Sequence, residues 1–181
     1  MNSYTPSLKK IYLHNVLPNL IKNLELKNVM EAPKIMCVNV SMCLGDSVND
    51  LKTLKKNKDC LEKICGQKVV ITKVKKSISA FKIRANMFIG LKVTLRKNIM
   101  WEFLDRFINI ALPRVKDFKG ITSNFDSNGN ITIGIKENLI FPELDYKDID
   151  KVRGLNITIS TSSRVDSQAK MLLMLIGIPL R

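Results

Sequence analysis

The sequence predicts an α+β fold: a single two-layer domain over residues 1–181, with a mostly antiparallel sheet of about five strands, helices on one sheet face and a long basic loop. The main observation is the order in which helix-like and strand-like patterns of apolar residues follow one another. Segments of helical apolar spacing and segments of alternating apolar and polar residues follow one another as α-β-α-β-β-α-β-β-α. Hydrophobic residues make up 45% of the chain, which is enough for a core. No internal repeat or low-complexity linker divides it.

The chain opens with a helical pattern over residues 7–26, and Pro18 inside it predicts a kink or two short helices that meet there. Residues 34–42 alternate as a strand. That strand would turn Met36, Val38, Val40 and Met42 towards the core, and Cys37, Asn39 and Ser41 to the other side. A second helix is expected to begin with Ser47 as its N-cap and to stop at Gly66.

Residues 63–101 form an acid-free window, which contains eight lysines, two arginines and no Asp or Glu, and so carries +10 of the formal net charge of +14. Its pattern predicts a strand over residues 68–72, a basic loop over 73–86 and a strand over 87–96. In the second strand, the apolar residues Leu91, Val93 and Leu95 would face the core. The polar residues Lys92, Thr94 and Arg96 would face outward. So much unopposed charge indicates a polyanionic partner.

The rest of the chain adds two helices, two strands and two irregular segments. The helices are predicted over residues 98–112 and 164–176, and the strands over residues 130–136 and 155–161. Of the irregular segments, residues 114–120 are basic and residues 137–152 are acidic. Pro113 ends the first of these helices, and Ser162 or Ser163 would cap the second.

The outward strand positions would together form a sheet face of short hydrogen-bonding side chains with a few cations. They are Cys37, Asn39, Ser41, Lys92, Thr94, Arg96, Thr132, Lys136, Asn156, Thr158 and Ser160. Any two-layer domain has a polar outer face, so this face alone does not establish a binding site. The charge of the neighbouring loop favours RNA. Phe81, among the loop cations, could stack on a base or ribose, or anchor the loop to the fold.

No catalytic or metal-binding set is evident. The only histidine, His14, lies at a polar position of the first helix, and no phosphate-binding, dinucleotide-binding or zinc-protease motif is present. The cysteines lack the tight pairs of structural zinc sites, so reduced and mostly buried thiols are expected at Cys37, Cys43, Cys60 and Cys65. The acidic residues of 145–150 are expected to be solvated. We therefore expect no enzymatic activity, no metal and no cofactor, with an RNA-acting enzyme as the alternative class.

An anionic membrane surface is the other partner that a pI near 9.8 allows. However, the longest apolar run, residues 171–180, is too short to span a bilayer, and the cations do not follow an amphipathic helix. The N-terminal residues predict neither a signal nor a transit peptide, so the chain is expected to work where it is made. The many Lys and Asn residues indicate an AT-rich gene, as in an organelle genome or an AT-rich bacterium. The expected compartment is therefore a mitochondrion or plastid, or the bacterial cytoplasm.

A series of motifs runs through nearly the whole chain, in order and almost without gaps. They are Gly66-Gln-Lys, Ile71-Thr-Lys-Val-Lys-Lys-Ser-Ile, Phe81-Lys-Ile-Arg84, Gly90-Leu-Lys-Val-Thr-Leu-Arg96, Met100-Trp-Glu-Phe, Ala111-Leu-Pro-Arg-Val-Lys-Asp-Phe-Lys-Gly120, Gly129-Asn, Ile140-Phe-Pro-Glu143 and Arg153-Gly-Leu-Asn-Ile-Thr-Ile159. They resemble the universal large-subunit ribosomal protein five family in its bacterial form.

The resemblance implies a structural, RNA-binding protein of the ribosome's central protuberance. Its partners would be 5S rRNA, large-subunit rRNA, the peptidyl-site tRNA, neighbouring large-subunit proteins and a small-subunit head protein at an intersubunit bridge. Carried over by motif, the sheet-side contacts with 5S rRNA would include Gln67, Thr94 and Arg96, and Asn39, Ser41 and Lys92 join them on the same predicted face. The loop that faces the tRNA would use Lys73, Lys75, Lys76, Ser77, Phe81, Lys82 and Arg84.

The chain departs from this family at Ser41-Met42-Cys43, where members usually carry Asn-Met-Gly or Asn-Gln-Gly. Ser41 has a shorter reach than the family's amide. Cys43 would make a left-handed backbone less favourable at a position where glycine is usual.

Overall fold

The computed structural model of the chain describes residues 4–45, 51–81, 83–145, 147 and 151–181. Its contacts form two compact units. One comprises Met1–Val38, Leu95–Ile133 and Thr158–Arg181, and the other comprises Asn39–Thr94 and Gly134–Ile157. That the whole of 1–181 is one domain stays a prediction.

Five strands are present: β1 (Ile35–Cys43), β2 (Val70–Lys73), β3 (Phe88–Leu95), β4 (Ile131–Ile135) and β5 (Leu155–Thr161). They form one antiparallel sheet in the order β2-β3-β1-β5-β4. The α+β class is therefore confirmed, and each strand lies within two residues of its predicted bounds. The sequence pattern located the strands well because alternation with period two is a strong local signal.

β1, β3, β4 and β5 each bury alternate residues. In β3, Leu91, Val93 and Leu95 are buried, as predicted. In β1 the alternation breaks near the start, since Ile35 is buried and Met36 is 52% exposed. The prediction that Met36 faces the core is therefore wrong, because the burial pattern shifts by one residue at this end of the strand.

The helices are α1 (Ser7–Ile11), α2 (Leu17–Asn23), α3 (Leu51–Cys65), α4 (Lys97–Arg106) and α5 (Asp166–Ile176). The N-cap of α5 is Val165, so the prediction of Ser162 or Ser163 as the cap is wrong. Ser163 lies two residues before the cap, and its hydroxyl accepts a hydrogen bond from the N–H of Val165 at 3.1 Å. The predicted cap of α3, Ser47, lies outside the described residues.

Two π-helical turns interrupt the helical segments at matching places. Tyr12–Val16 joins α1 to α2, and Phe107–Ala111 follows α4. Each turn ends two residues before a proline, Pro18 or Pro113. A proline has no N–H for the carbonyl four residues back, and its ring crowds that carbonyl, so a wider turn relieves the conflict. The break expected at Pro18 therefore takes the form of a π-helical turn.

Aromatic side chains pack together in the first unit. The rings of Tyr12 and Trp101 lie 5.3 Å apart, and the Tyr12 hydroxyl donates to the carbonyl of Pro33 at 3.1 Å. Phe103 and Phe107 stack at 6.2 Å. Trp101 is thus a core residue, as predicted. In the part of the chain that the structure describes, no helix has the length and apolar character needed to cross a bilayer.

Candidate nucleic-acid interface

Three of the predicted RNA-binding residues form one hydrogen-bonded chain. The Thr94 hydroxyl donates to Asn39 Oδ1 at 2.6 Å, and the Gln67 amide donates to the backbone carbonyl of Thr94 at 3.2 Å. All three side chains are half-buried. Because β1 and β3 are neighbours in the sheet, the chain links two strands and restricts the side-chain rotamers without help from a partner.

Lys92 and Ser41 extend this polar surface. Lys92 is exposed between the buried residues Leu91 and Val93, and in register it lies opposite Val70 of β2. Ser41 is half-buried on the same alternation as Asn39. The period of two places these residues on the side of the strands away from the core.

Cys43 is the last residue of β1, so its backbone is extended rather than left-handed. Its thiol lies 3.8 Å from the carbonyl of Ile89 as a weak donor. The chain therefore accommodates a side chain where the family usually has glycine. The cost expected from a left-handed Cys43 does not arise.

The segment that carries Gln67 is fixed at both ends. Gly66 follows α3 with a φ of +65°, a conformation that favours glycine. Glu62, in the last turn of α3, accepts the N–H of Val69 at 3.0 Å and lies 3.6 Å from the Lys58 ammonium. The hydrogen bond from Val69, with a smaller contribution from Lys58, lowers the pKa of the Glu62 carboxyl.

Arg96 belongs to the other compact unit. It is exposed and extended, with a φ of −140°, as the N-cap of α4. Its carbonyl accepts the N–H of Met100 at 3.5 Å. The backbone of Arg96, which carries the guanidinium side chain, is thus held in place by the following helix.

The predicted basic loop over residues 73–86 proves to be a hairpin that continues β2 and β3. Val74 and Met87 are joined by a backbone bond of 2.9 Å, and Ile78 and Ile83 exchange two bonds of 3.1 and 3.3 Å. The Ser77 hydroxyl accepts the N–H of Ala85 at 2.9 Å. The prediction of a loop is therefore wrong, because the cations of this segment mask the pairing of its apolar residues in the sequence.

The side chains of this basic hairpin (residues 73–86) are mostly exposed. Those of Lys73, Lys75, Lys76, Ser77, Phe81 and Arg84 all reach solvent, whereas Lys82 lies outside the described residues. Phe81, in a short 3-10 turn, is 73% exposed. It therefore does not anchor the hairpin. Val74, which is 8% exposed and which the sequence analysis missed, does so instead.

Lys73 lies beside an aromatic ring, because its ammonium is 5.6 Å from the centre of the Phe88 ring. A cation over an aromatic face gains a modest electrostatic attraction. Lys73 is thus held towards β3, although it is exposed like Lys75 and Lys76.

The cysteines and the histidine do not assemble a further site in the described part of the chain. Cys60 and Cys65 are buried, as expected, whereas Cys37 is half-buried and Cys43 is exposed. His14 is exposed. Among the residues that the structure describes, no group of three or more His, Cys, Asp or Glu could hold a metal ion.

Comparison with known proteins identifies the family. A family model described as "Ribosomal protein L5" matches residues 28–84, and a second model, which describes the C-terminus of the same ribosomal family, matches residues 88–180. The chain is 50% identical to a protein of Syntrophotalea carbinolica over 173 residues, which cover 95% of this chain and 94% of the relative. It is also 50% identical to proteins of Geotalea uraniireducens and Geobacter sulfurreducens over 175 residues, covering 96% of this chain and 98% of each relative.

All three bacterial relatives are described as "Large ribosomal subunit protein uL5". The two family matches together cover β1, β3 and residues 73–84 of the basic hairpin. The chain therefore belongs to the uL5 family, as a structural protein of the large ribosomal subunit and not an enzyme.

Proposed function

We propose that this chain binds 5S rRNA with the polar surface of β1 and β3 and reaches the peptidyl-site tRNA with its basic hairpin. The hydrogen-bonded chain Asn39–Thr94–Gln67 is the observation that carries the first part. Its groups are restricted before binding, so little side-chain entropy is lost when RNA arrives. By family resemblance the proposal extends to contact with a small-subunit head protein.

The chemistry of the polar surface suits RNA. The minor groove of an RNA helix is wide and shallow and displays 2′-hydroxyls, which can both donate and accept hydrogen bonds. Hydroxyl and amide groups such as those of Thr94 and Gln67 can engage them, while Lys92 and Arg96 neutralise phosphates. Lys92 and Thr94 are alternate residues of β3 and therefore point to the same side of the strand.

The basic hairpin suits a different kind of contact. Phe81 and the hairpin cations that the structure describes are exposed, and the backbone is held by cross-strand hydrogen bonds. A projecting element with an exposed aromatic ring can stack on an unpaired base or a ribose, while its lysines meet phosphates. The folded elbow of a tRNA offers both.

The two surfaces can be separated by paired variants. Thr94→Val with Arg96→Ala removes a hydroxyl from β3 and a cation from the N-cap of α4, and we expect the affinity for isolated 5S rRNA to fall by roughly tenfold or more. Lys73→Ala combined with Lys75→Ala and Lys76→Ala should leave that affinity within about twofold, because the hairpin is proposed to contact tRNA and not 5S rRNA. The hairpin variant should instead weaken the retention of peptidyl-site tRNA by reassembled ribosomes.

Both variants are checked for thermal unfolding, since exposed charges contribute little to stability. Thr94→Ser, which keeps the hydroxyl, is the matched control for the strand and should bind 5S rRNA nearly as the unchanged chain does. If the hairpin variant loses 5S rRNA as severely as the strand variant, the proposed division between the two surfaces is wrong.

A further inference from the structure

The turn before β4 contains the only Asn-Gly pair of the sequence, Asn128-Gly129. The turn lies between Phe125 and Ile131, which pair as an antiparallel bridge. In an Asn-Gly pair the chain attacks its own side-chain amide more readily than in other pairs, because glycine has no side chain to hinder the approach. The pair is therefore a candidate for intramolecular deamidation.

Deamidation of this pair needs only the chain and solvent water. The backbone nitrogen of Gly129 loses its proton and attacks Cγ of Asn128, a C–N bond forms, and the side-chain nitrogen leaves with a proton as ammonia. The product is a cyclic imide. Water then adds to one of the imide carbonyl carbons and breaks the C–N bond at that carbon. The result is either an aspartate or an isoaspartate, whose main chain runs through the side-chain carbon.

The fold requires the glycine of this pair but leaves the asparagine side chain accessible. Gly129 is buried with a φ of +71°, and a Cβ placed on it would overlap the carbonyl oxygen of Ser163. Asn128 is exposed, and its side chain makes no hydrogen bond with the part of the chain that the structure describes. The attacked carbon is therefore open, so the state of the Gly129 nitrogen decides whether the reaction occurs.

The attacking nitrogen is held by α5. The N–H of Gly129 donates to Oδ1 of Asp166, the first residue of that helix, at 2.9 Å. A carboxylate is too weak a base to take the proton of an amide, and its negative charge disfavours an amide anion beside it. In the cyclic imide the Gly129 nitrogen carries no hydrogen, so the reaction must also break this hydrogen bond.

The peptide groups on both sides of Asn128 are fixed as well. The Asn128 N–H donates to Asp126 Oδ1 at 2.9 Å. The Gly129 carbonyl accepts the Thr161 hydroxyl at 2.7 Å. The side-chain amide and the N–H of Asn130 also donate to Asp126, and these bonds lower the pKa of its carboxyl. Closure of the imide ring draws the Gly129 nitrogen onto the Asn128 side chain, and the hydrogen bonds resist that movement.

We infer that Asn128 is a deamidation site that the contact between Gly129 and Asp166 protects. The asparagine persists while the contact is made, and each local opening frees the nitrogen for proton loss and attack. Either product adds a negative charge beside Asp126, and an isoaspartate also lengthens the main chain next to Gly129, so the turn does not close again as before. This inference goes beyond the proposed function, because the site lies outside the polar strands and the basic hairpin.

Ageing of the full chain tests this inference. The unchanged chain, Asp166→Ala and Thr161→Val are incubated at mildly alkaline pH below their melting temperatures, and conversion at position 128 is followed by peptide mass spectrometry. An isoaspartyl methyltransferase with a labelled methyl donor measures the isoaspartate. Ser167→Ala is the matched control, since it alters the neighbouring position of α5 and keeps both hydrogen bonds of Gly129. Thermal unfolding and hydrogen exchange at the Gly129 N–H are measured for every protein.

Asp166→Ala should convert faster than the unchanged chain by roughly tenfold or more, because loss of a charge-assisted hydrogen bond favours the open turn by about that factor. Thr161→Val should also convert faster, by a smaller factor, because it removes a neutral hydrogen bond. Ser167→Ala should stay within about twofold of the unchanged chain. In Asp166→Ala and Thr161→Val, hydrogen exchange at Gly129 should accelerate together with conversion.

Asn128→Ser combined with Asp166→Ala separates the chemistry from the opening. Its Gly129 N–H should exchange as fast as in Asp166→Ala, while no isoaspartate forms in residues 122–134. Equal conversion rates in Asp166→Ala and Ser167→Ala would overturn the inference. It would also be overturned if the unchanged chain converted as fast as a synthetic peptide of residues 122–134. If Asp166→Ala does not fold, Thr161→Val decides, and a rate equal to that of Ser167→Ala would overturn the inference.

Discussion

Lys97 begins α4 with a φ of +54°, a left-handed conformation that residues with a side chain rarely adopt. It directly follows Arg96, one of the predicted RNA-binding cations, so a basic pair marks the passage from β3 to α4. Such an outlier costs free energy and persists only where the surroundings fix it. The side chain at position 97 therefore lowers the stability of the fold relative to a glycine there.

Lys97→Gly should stabilise the fold, because glycine adopts positive φ without a steric penalty. We expect a gain of about 1 kcal/mol, which for a chain of this size is a rise in melting temperature of about 2 to 4 °C. Lys97→Ala is the matched control, since it removes the charge but keeps the unfavourable conformation. Equal gains in both variants would show that the charge, and not the backbone, is responsible.

The connection between α3 and β2 depends on Glu62. Its carboxylate holds the N–H of Val69, and this fixes the short segment that aims Gln67 at Thr94. The end of α3 and the proposed RNA-binding surface are thus coupled through the Glu62 carboxylate. Loss of this acceptor would act on Gln67 without touching it.

Glu62 should make the stability depend on pH in a defined direction. Its pKa in the fold is lowered from an ordinary value of 4.5, chiefly by the Val69 N–H, so folding favours the charged form. This contribution is present above pH 4.5 and is lost as the pH falls through the folded pKa. Urea unfolding between pH 3 and 7, as an approximate range, measures it.

Glu62→Gln removes the titration while its side-chain carbonyl can still accept the N–H of Val69. The stability of this variant should therefore decline less on acidification than that of the unchanged chain. Glu62→Ala, which removes the acceptor, should be less stable at neutral pH and should also bind 5S rRNA more weakly through the loosened Gln67. An identical acid profile for Glu62→Gln and the unchanged chain would contradict this account.

For the whole molecule, the net charge of +14 makes RNA binding sensitive to salt. Each phosphate that a cation neutralises releases condensed counterions, so affinity falls steeply as salt rises. The affinity of the full chain for 5S rRNA should fall by orders of magnitude from low to moderate salt. Filter binding or fluorescence titration at several salt concentrations measures the slope.

Lys92→Ala with Arg96→Ala should make that slope less steep by about 2, one contact of roughly 0.9 for each cation. Lys10→Ala with Lys22→Ala removes equal charge from helical positions outside the proposed surface and should change the slope little. A 5S rRNA affinity that does not vary with salt would rule out phosphate contacts as its main source.

Local pattern alone determined the α+β class, the five strands and the outward position of Asn39, Ser41, Lys92 and Thr94. Alternation with period two and helical spacing are properties of neighbouring residues, so they can be read without knowing the fold. The acid-free window and the family motifs are likewise properties of the linear chain. The position of the π-helical turns follows from Pro18 and Pro113, although their type does not.

Only the tertiary structure decided which distant residues meet. Asn39, Gln67 and Thr94 form one hydrogen-bonded chain, and Gly120 lies against Arg181. The pairing of Ile78 with Ile83 and the 73% exposure of Phe81 also depend on it. The physical reason is that these contacts depend on strand order, register and close packing, which arise from the whole chain folding together and leave no periodic signal in the sequence.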